Sequence, residues 1–192
     1  VKFTKRGETT ALGTSSVTLA PGESKFYTNA VTELFNLSGV AGQASFQTAG
    51  ETPIVAWCRT YNDQGEAGTF GQFIPAFGAE DLIAANGAIF QGLSEDSKFR
   101  TNMGFVNTSA SATTATVSVW STDGTKLAEK EYAVEGGQAI FKSKVMLDLG
   151  ASSVTNGYVK VIPAVPNVIY AWASSVDNTS TDQTFVRPLA IP

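Results

Sequence analysis

Ile54-Val55-Ala56-Trp57-Cys58-Arg59-Thr60-Tyr61 and Ile169-Tyr170-Ala171-Trp172-Ala173-Ser174-Ser175-Val176 are two versions of one stretch. Each is dense in β-branched, aromatic and small residues, the composition of a strand. Each is followed by a seven-residue spacer rich in turn formers and then by Thr-Phe, Thr69-Phe70 and Thr184-Phe185, opening another apolar run. The order strand, loop, apolar run predicts a hairpin with a long loop, used twice.

Working outward, residues 17–75 lie on residues 132–190 at a constant offset of 115 with no gap, and eleven of the fifty-nine pairs are identical. Unrelated sequences would give roughly four, so the chain reads as an internal duplication. The identities fall on residues with structural jobs. Gly22 and Gly137 sit in a turn, Phe26 and Phe141 in the strand after it, Leu34 and Leu149 in a short helical segment, and Gly42 and Gly157 beyond it. Asn29 is placed to cap the first of those helical segments.

The two copies are unequal at the front. Val1-Lys2-Phe3-Thr4 matches Val117-Ser118-Val119-Trp120, but the second copy carries two earlier strand candidates, Gly87-Ala88-Ile89-Phe90-Gln91 and Arg100-Thr101-Asn102-Met103-Gly104-Phe105-Val106. Against a repeat of this period, the first copy is short by roughly 35 to 40 residues. A start at Val1, with neither Met nor an apolar leader, reads as a processed or trimmed chain.

Short strands with turn chemistry every eight to twelve residues, as at Thr122-Asp123-Gly124 and Glu135-Gly136-Gly137, describe an all-β protein. The expected fold is two tandem Ig-like antiparallel β-sandwiches, with residues 1–80 an N-terminally incomplete repeat and residues 81–192 a complete one. Ser16-Val17-Thr18-Leu19 and Ser24-Lys25-Phe26-Tyr27 are further expected strands. Both faces of the tryptophan strands are apolar, which predicts central strands covered on both sides, the Leu34 or Leu149 segment lying over the outer face.

Composition excludes more chemistry than any motif suggests. Histidine is absent, which removes the commonest general base and zinc ligand and every Ser-His or Cys-His nucleophile. A net charge of −4 supplies no basic face for nucleic acid, so no nucleic-acid partner is expected. No apolar run reaches the roughly 18 residues of a membrane span. With 43% apolar and 16% charged residues the chain has ample material for cores.

The candidate sites each carry a plain structural reading. Trp57 and Trp172 are candidate ligand-binding platforms for sugar rings, but their shared repeat position, flanked by Ala, favours packing. Cys58, the sole cysteine, matches Ala173 and is expected to be a buried small hydrophobe rather than a nucleophile. Asp63, Glu66, Asp177 and Asp182 are candidate calcium ligands in the spacer loops, but Asx-rich turns need no metal, and no metal or other cofactor is expected. Glu80-Asp81 and Glu95-Asp96 are adjacent pairs, and two carboxylates serving one substrate come from separate places, so no catalytic residues are assigned. Asn36, Asn107 and Asn178 each open an N-glycosylation pattern.

Arg59-Thr60-Tyr61-Asn62 with Gly68-Thr69-Phe70-Gly71-Gln72-Phe73-Ile74-Pro75-Ala76, and Phe99-Arg100-Thr101-Asn102-Met103-Gly104-Phe105-Val106-Asn107, resemble tandem β-sandwich repeats of large secreted or surface proteins of environmental bacteria. The resemblance covers both copies, though Ala173-Ser174-Ser175-Val176 lacks the Arg-Thr-Tyr element. It implies an extracellular or cell-surface, non-catalytic module.

The expected function is therefore a structural or adhesive protein, not an enzyme, taking the form of a subunit of a surface assembly or filament. An incomplete sandwich exposes backbone groups and core side chains, which a neighbouring chain can relieve by donating a strand. The expected contact is a protein partner, or self-association, through an open sheet edge near Val1-Lys2-Phe3-Thr4; a missing upstream segment is the other account of the gap. A binding module, for glycan or protein, accessory to a secreted enzyme or cell surface is the alternative function.

Overall fold

A computed structural model describes residues 1–50 and 52–192. Every sheet in it is antiparallel. The front of the chain forms β1 (Lys2–Lys5), β2 (Ala11–Thr14), helix α1 (Ala30–Phe35), β3 (Gly42–Ser45), β4 (Trp57–Asp63) and β5 (Thr69–Pro75). The rear forms β6 (Ala88–Glu95), β7 (Phe99–Asn107), β8 (Thr113–Trp120), β9 (Lys126–Val134), β10 (Ala139–Lys142), helix α2 (Val145–Leu149), β11 (Val154–Pro163), β12 (Ile169–Asp177), β13 (Gln183–Val186) and β14 (Leu189–Ala190).

The rear is a β-sandwich. One sheet has the order β14-β6-β11-β8-β9 and the other β10-β7-β12-β13. Alternate residues of both sheets point inward, and Phe90, Val117, Val159, Met103, Phe105 and Ile169 are fully buried between them. Helix α2 closes one end with Val145 and Met146, also fully buried. Removal of this apolar area from water is the main stabilising term of the rear half.

The front is built differently from that expectation. It has a three-stranded sheet, β2-β1-β3, and a separate hairpin, β4-β5. Among the described residues, Phe3 is the single buried apolar side chain before Ile83. Its ring packs on Phe35 of α1 at 5.5 Å. The helix itself begins as its sequence dictates: the Asn29 side chain accepts from the Thr32 N–H and Glu33 reaches back to the Asn29 N–H, a capping box in form.

Strand registers in the two halves coincide where both exist. Phe3 faces Gly13 on one side and Ala44 on the other. Val119, its sequence match, faces Ala128 and Val159, which match Gly13 and Ala44. The bulge between Phe3 and Thr4 recurs between Val119 and Trp120. The helices α1 and α2 start at matching positions, Ala30 and Val145. The hairpins do not share a register: Asp63 pairs with Thr69, whereas Ser175 pairs with Thr184.

Three expectations require correction. Residues 16–19 and 24–27 are not strands. Their rear matches pair with residues 113–116 of β8 and with β7, for which the front has no counterpart. A strand sequence without a ladder partner leaves its backbone to water. Nor is β1 an open edge, because β2 and β3 bracket it. Among the described residues the free edges of that sheet are β2 and β3, one strand to either side. Finally, the helical segments do not cover the tryptophan strands: α2 packs on β7, β8 and β9, and α1 on β2.

One rear residue offers a pH-dependent check on the fold. Glu95, at the end of β6, is buried, and desolvation raises its pKa above the ordinary carboxylate range although its Oε2 accepts the Thr101 N–H at 3.2 Å. A carboxyl whose folded pKa is raised costs stability as pH climbs from the unfolded value through the folded one. Glu95→Gln should therefore raise the melting temperature at about pH 7, and the gain should vanish at about pH 3, where the native residue is protonated in both states. Paired melting curves at the two pH values check this.

Candidate functional site: the open face of the front unit

The two tryptophans occupy matching positions and have unlike surroundings. Trp172 lies on β12, which is hydrogen-bonded to β7 on one side and β13 on the other. Its cross-strand partner is Gly104, and the indole covers that residue so closely that an added Cβ would stand 2.0 Å from the ring. Aromatic cover over a glycine in a neighbouring strand is a recognised packing device of sheets. Trp57 lies on β4, which is exposed along its whole length and, among the described residues, pairs with β5 alone. It is 56% exposed and touches Phe73, itself 55% exposed, with ring centroids 5.5 Å apart.

The same contrast runs through the front. Phe26 is 76% exposed, whereas Phe141 on β10 pairs with Gly104 of β7 and carries the Arg6 guanidinium 5.3 Å above its ring. Val55 is 95% exposed. The exposed aromatic side chains of β4 and β5, Trp57, Tyr61 and Phe73, mark an interaction surface, since burial of a large apolar side chain is worth about 1.5–3 kcal/mol. Packing, the expectation for both tryptophans, holds for Trp172 and fails for Trp57 because no β7-like strand lies beside β4.

Cys58 is corrected by the same cause. Its match, Ala173, is fully buried in the rear core, but Cys58 is an exposed free thiol. Neighbouring atoms crowd it enough to push its pKa above the ordinary thiol range. A thiol so shifted is a poor nucleophile, and its accessibility reports on whether the front face is covered.

Two of the four loop carboxylates, Asp63 and Asp177, are committed to their own backbone. Asp63 accepts the Gly65 N–H at 3.0 Å, and Asp177 accepts the N–H groups of Thr179 and Ser180, each at 2.7 Å. Those bonds, from Ser180 first, hold the Asp177 carboxyl below the ordinary range. Asp182 continues the same turn through its N–H to Ser180, and Glu66 lies in the single 3-10 turn of the β4-β5 loop. Among the described residues no group of three or more His, Cys, Asp or Glu side chains is placed to hold a metal.

Asn107, first residue of a glycosylation pattern, is a structural residue that the sequence does not distinguish from surface asparagine. It is fully buried, donates to Ser111 O at 2.8 Å and Val134 O at 3.0 Å, and accepts from the N–H and hydroxyl of Ser109. Asn107→Ala removes both donations, one of them to the carbonyl of the fully buried Val134, and should cost about 1–3 kcal/mol, measured by denaturant unfolding of the rear sandwich.

The two halves touch at defined points. The β1-β2 turn meets the rear at β10: Gly7 N–H donates to Ala139 O at 2.9 Å, Gln138 donates back to Gly7 O at 2.7 Å, and Gln43 donates to Gly137 O at 2.8 Å. From β5, Gln72 accepts the buried Ser174 hydroxyl at 2.9 Å. The connector packs Phe77 against Tyr170 and Phe185, and Arg187 pairs with Asp81 at 2.9 Å. These contacts leave the outer edges of β3 and β4 free among the described residues.

No protein-family model matches the chain, and no curated relative does. Among solved structures it is similar to the one titled "Crystal Structure of Thermotoga maritima 1070", at 13% identity, over 56% of this chain and 96% of that one, with a TM-score of 0.46. A likeness of that size speaks for neither function nor site. No helix among the described residues is long and apolar enough to cross a membrane.

Proposed function

We propose that this chain is a non-catalytic structural or adhesive protein of the cell surface or extracellular space, a subunit that assembles by strand pairing with a neighbouring molecule. In this reading the chain is a tandem duplication of an Ig-like sandwich. The matching registers and the shared bulge support the duplication. The extracellular setting rests on the resemblance of the Arg59 and Phe99 runs to secreted bacterial repeats.

The observation that carries the proposal is the open front hairpin: Val55 and Trp57 lie in water, the one just ahead of β4 and the other at its start, and β4 has a free edge among the described residues. An unpaired edge next to apolar side chains is a template for strand addition. Sedimentation velocity across a concentration series tests it. The expected result is a mass that rises above the 20.2 kDa of one chain as concentration increases. A single species of that mass at every concentration would overturn self-assembly.

The exposed aromatic group Trp57, Tyr61 and Phe73, with Arg59 5.0 Å from the Tyr61 ring, supports the second reading, a glycan- or protein-binding module. Polysaccharide that quenches or shifts tryptophan emission in the wild type but not in Trp57→Phe would favour that module instead.

A further inference from the structure

Strand alternation puts Trp57, Arg59 and Tyr61 on one face of the β4-β5 hairpin, and the register sets Phe73 opposite Arg59 on that same face. Gln72 belongs to the other face and accepts the Ser174 hydroxyl of the rear half. All four side chains of the first face are exposed. They touch in pairs, the Trp57 and Phe73 ring centroids 5.5 Å apart and the Arg59 guanidinium 5.0 Å from the Tyr61 ring. Gly71 stands opposite Tyr61 and puts no side chain over its ring.

Arg59 is held in place without being neutralised. Its Nη2 donates to the Thr69 carbonyl at 3.2 Å and to the Thr69 hydroxyl at 2.9 Å, whereas Nε and Nη1 have no partner among the described residues. Among those residues it forms no ion pair either. Asp63, two positions beyond Tyr61, turns its carboxylate to the Gly65 N–H instead. A guanidinium fixed in position with donors still open is preorganised for a carboxylate, since little rotamer freedom is left to lose on binding.

Ring faces around such a cation call for a ligand with an apolar face as well as an acid group. A uronic acid has both: the C–H groups on one side of its ring lie against an aromatic face, and its carboxylate stands at the rim. Strand rise sets Trp57 and Tyr61 about 13 Å apart with Arg59 midway, a span longer than one sugar ring. An open strip of that length fits a polymer lying along it, where a small molecule would need an enclosing cavity. An extended peptide pairs through backbone groups at a sheet edge, whereas this strip is a sheet face and offers side chains alone. Building on the binding-module reading above, we propose that the face of the β4-β5 hairpin carrying Trp57, Arg59 and Tyr61 binds acidic polysaccharide. Uronate rings stack on Trp57 and Tyr61, a carboxylate takes the open donors of Arg59, and Phe73 supports the Trp57 indole.

Three probes test this on the full chain: an oligogalacturonate, the same oligomer methyl-esterified, and poly-glutamate. Binding of the sugars is read as the change in tryptophan emission that Trp57→Phe abolishes, and poly-glutamate is added as a competitor. The acid should bind at least about tenfold more tightly than its ester at low salt, and the difference should shrink as salt rises. Poly-glutamate should displace neither sugar, and Arg59→Gln should bind the acid no better than the ester.

Equal binding of acid and ester by the wild type would overturn the acidic class and leave a module for neutral glycan. Displacement by poly-glutamate as strong as by the oligogalacturonate itself would overturn the sugar and leave an acidic peptide as the partner. An acid preference that survives in Arg59→Gln would overturn the role given to Arg59. Emission unmoved by either sugar would overturn this inference and the glycan-binding reading together.

Discussion

Phe3→Ala should dissolve the front sheet and leave the rear sandwich standing. Phe3 is the only buried apolar side chain of the described front residues, it sits at the centre of β1, and its ring packs on Phe35. Truncating a buried phenylalanine costs about 3–5 kcal/mol. A sheet of three four-residue strands with one core residue has little stability of its own to lose. Hydrogen exchange should show the amides of β1, β2 and β3 losing protection while those of β8, β11 and β12 keep theirs. Equal loss in both halves would mean that the two units fold as one.

The converse substitution, Phe105→Ala, should unfold the rear. Phe105 is fully buried on β7, opposite Ile140 and Ala171, with its ring 5.8 Å from that of Tyr132. The expected cost is again about 3–5 kcal/mol, here drawn from a strand paired on both sides. Because β7 also carries Gly104 and Asn107, its loss should expose Trp172 and free the Asn107 carbonyl partners. A red shift in Trp172 emission in step with loss of the rear amides checks the effect; a melting temperature unchanged from wild type contradicts the packing described.

Elements whose fate depends on near neighbours in the chain were legible in the sequence. The Asn29 cap, the α1 and α2 segments and the two hairpins follow from local chemistry alone. Elements whose fate depends on a distant partner were not. Phe26 and Phe141 are the same letter in the same repeat position, yet one lies in water and the other in a ladder, because only the second has β7 beside it. Cys58 was misread for that reason: alternation along a strand says which way a side chain faces, not whether anything covers that face.

Likewise β1 reads as a leading edge strand in the chain but is central in its sheet, since two later segments fold back on both of its sides. The docking of the halves through Gly7, Gln138 and Gln72 left no periodic signal at all. These are single polar contacts between residues about one hundred or more positions apart, which no local pattern encodes. The candidate site itself was half visible. Trp57 could be named from its composition and repeat position, whereas its exposure follows from the pairing of β4, which no local pattern gives.

The sole thiol offers the most direct measurement. Cys58 lies at the position of β4 that matches the buried Ala173 of β12, so its alkylation rate reports whether that face of β4 is covered. Iodoacetamide labelling should be followed at one pH, first with the chain dilute and then at the concentrations where sedimentation shows association. The expected result is slow but measurable labelling of the dilute chain, in keeping with the raised thiol pKa, and a rate at least about tenfold lower in the associated state, as access is lost. A thiol that labels equally fast at both concentrations would contradict assembly through the exposed face of β4.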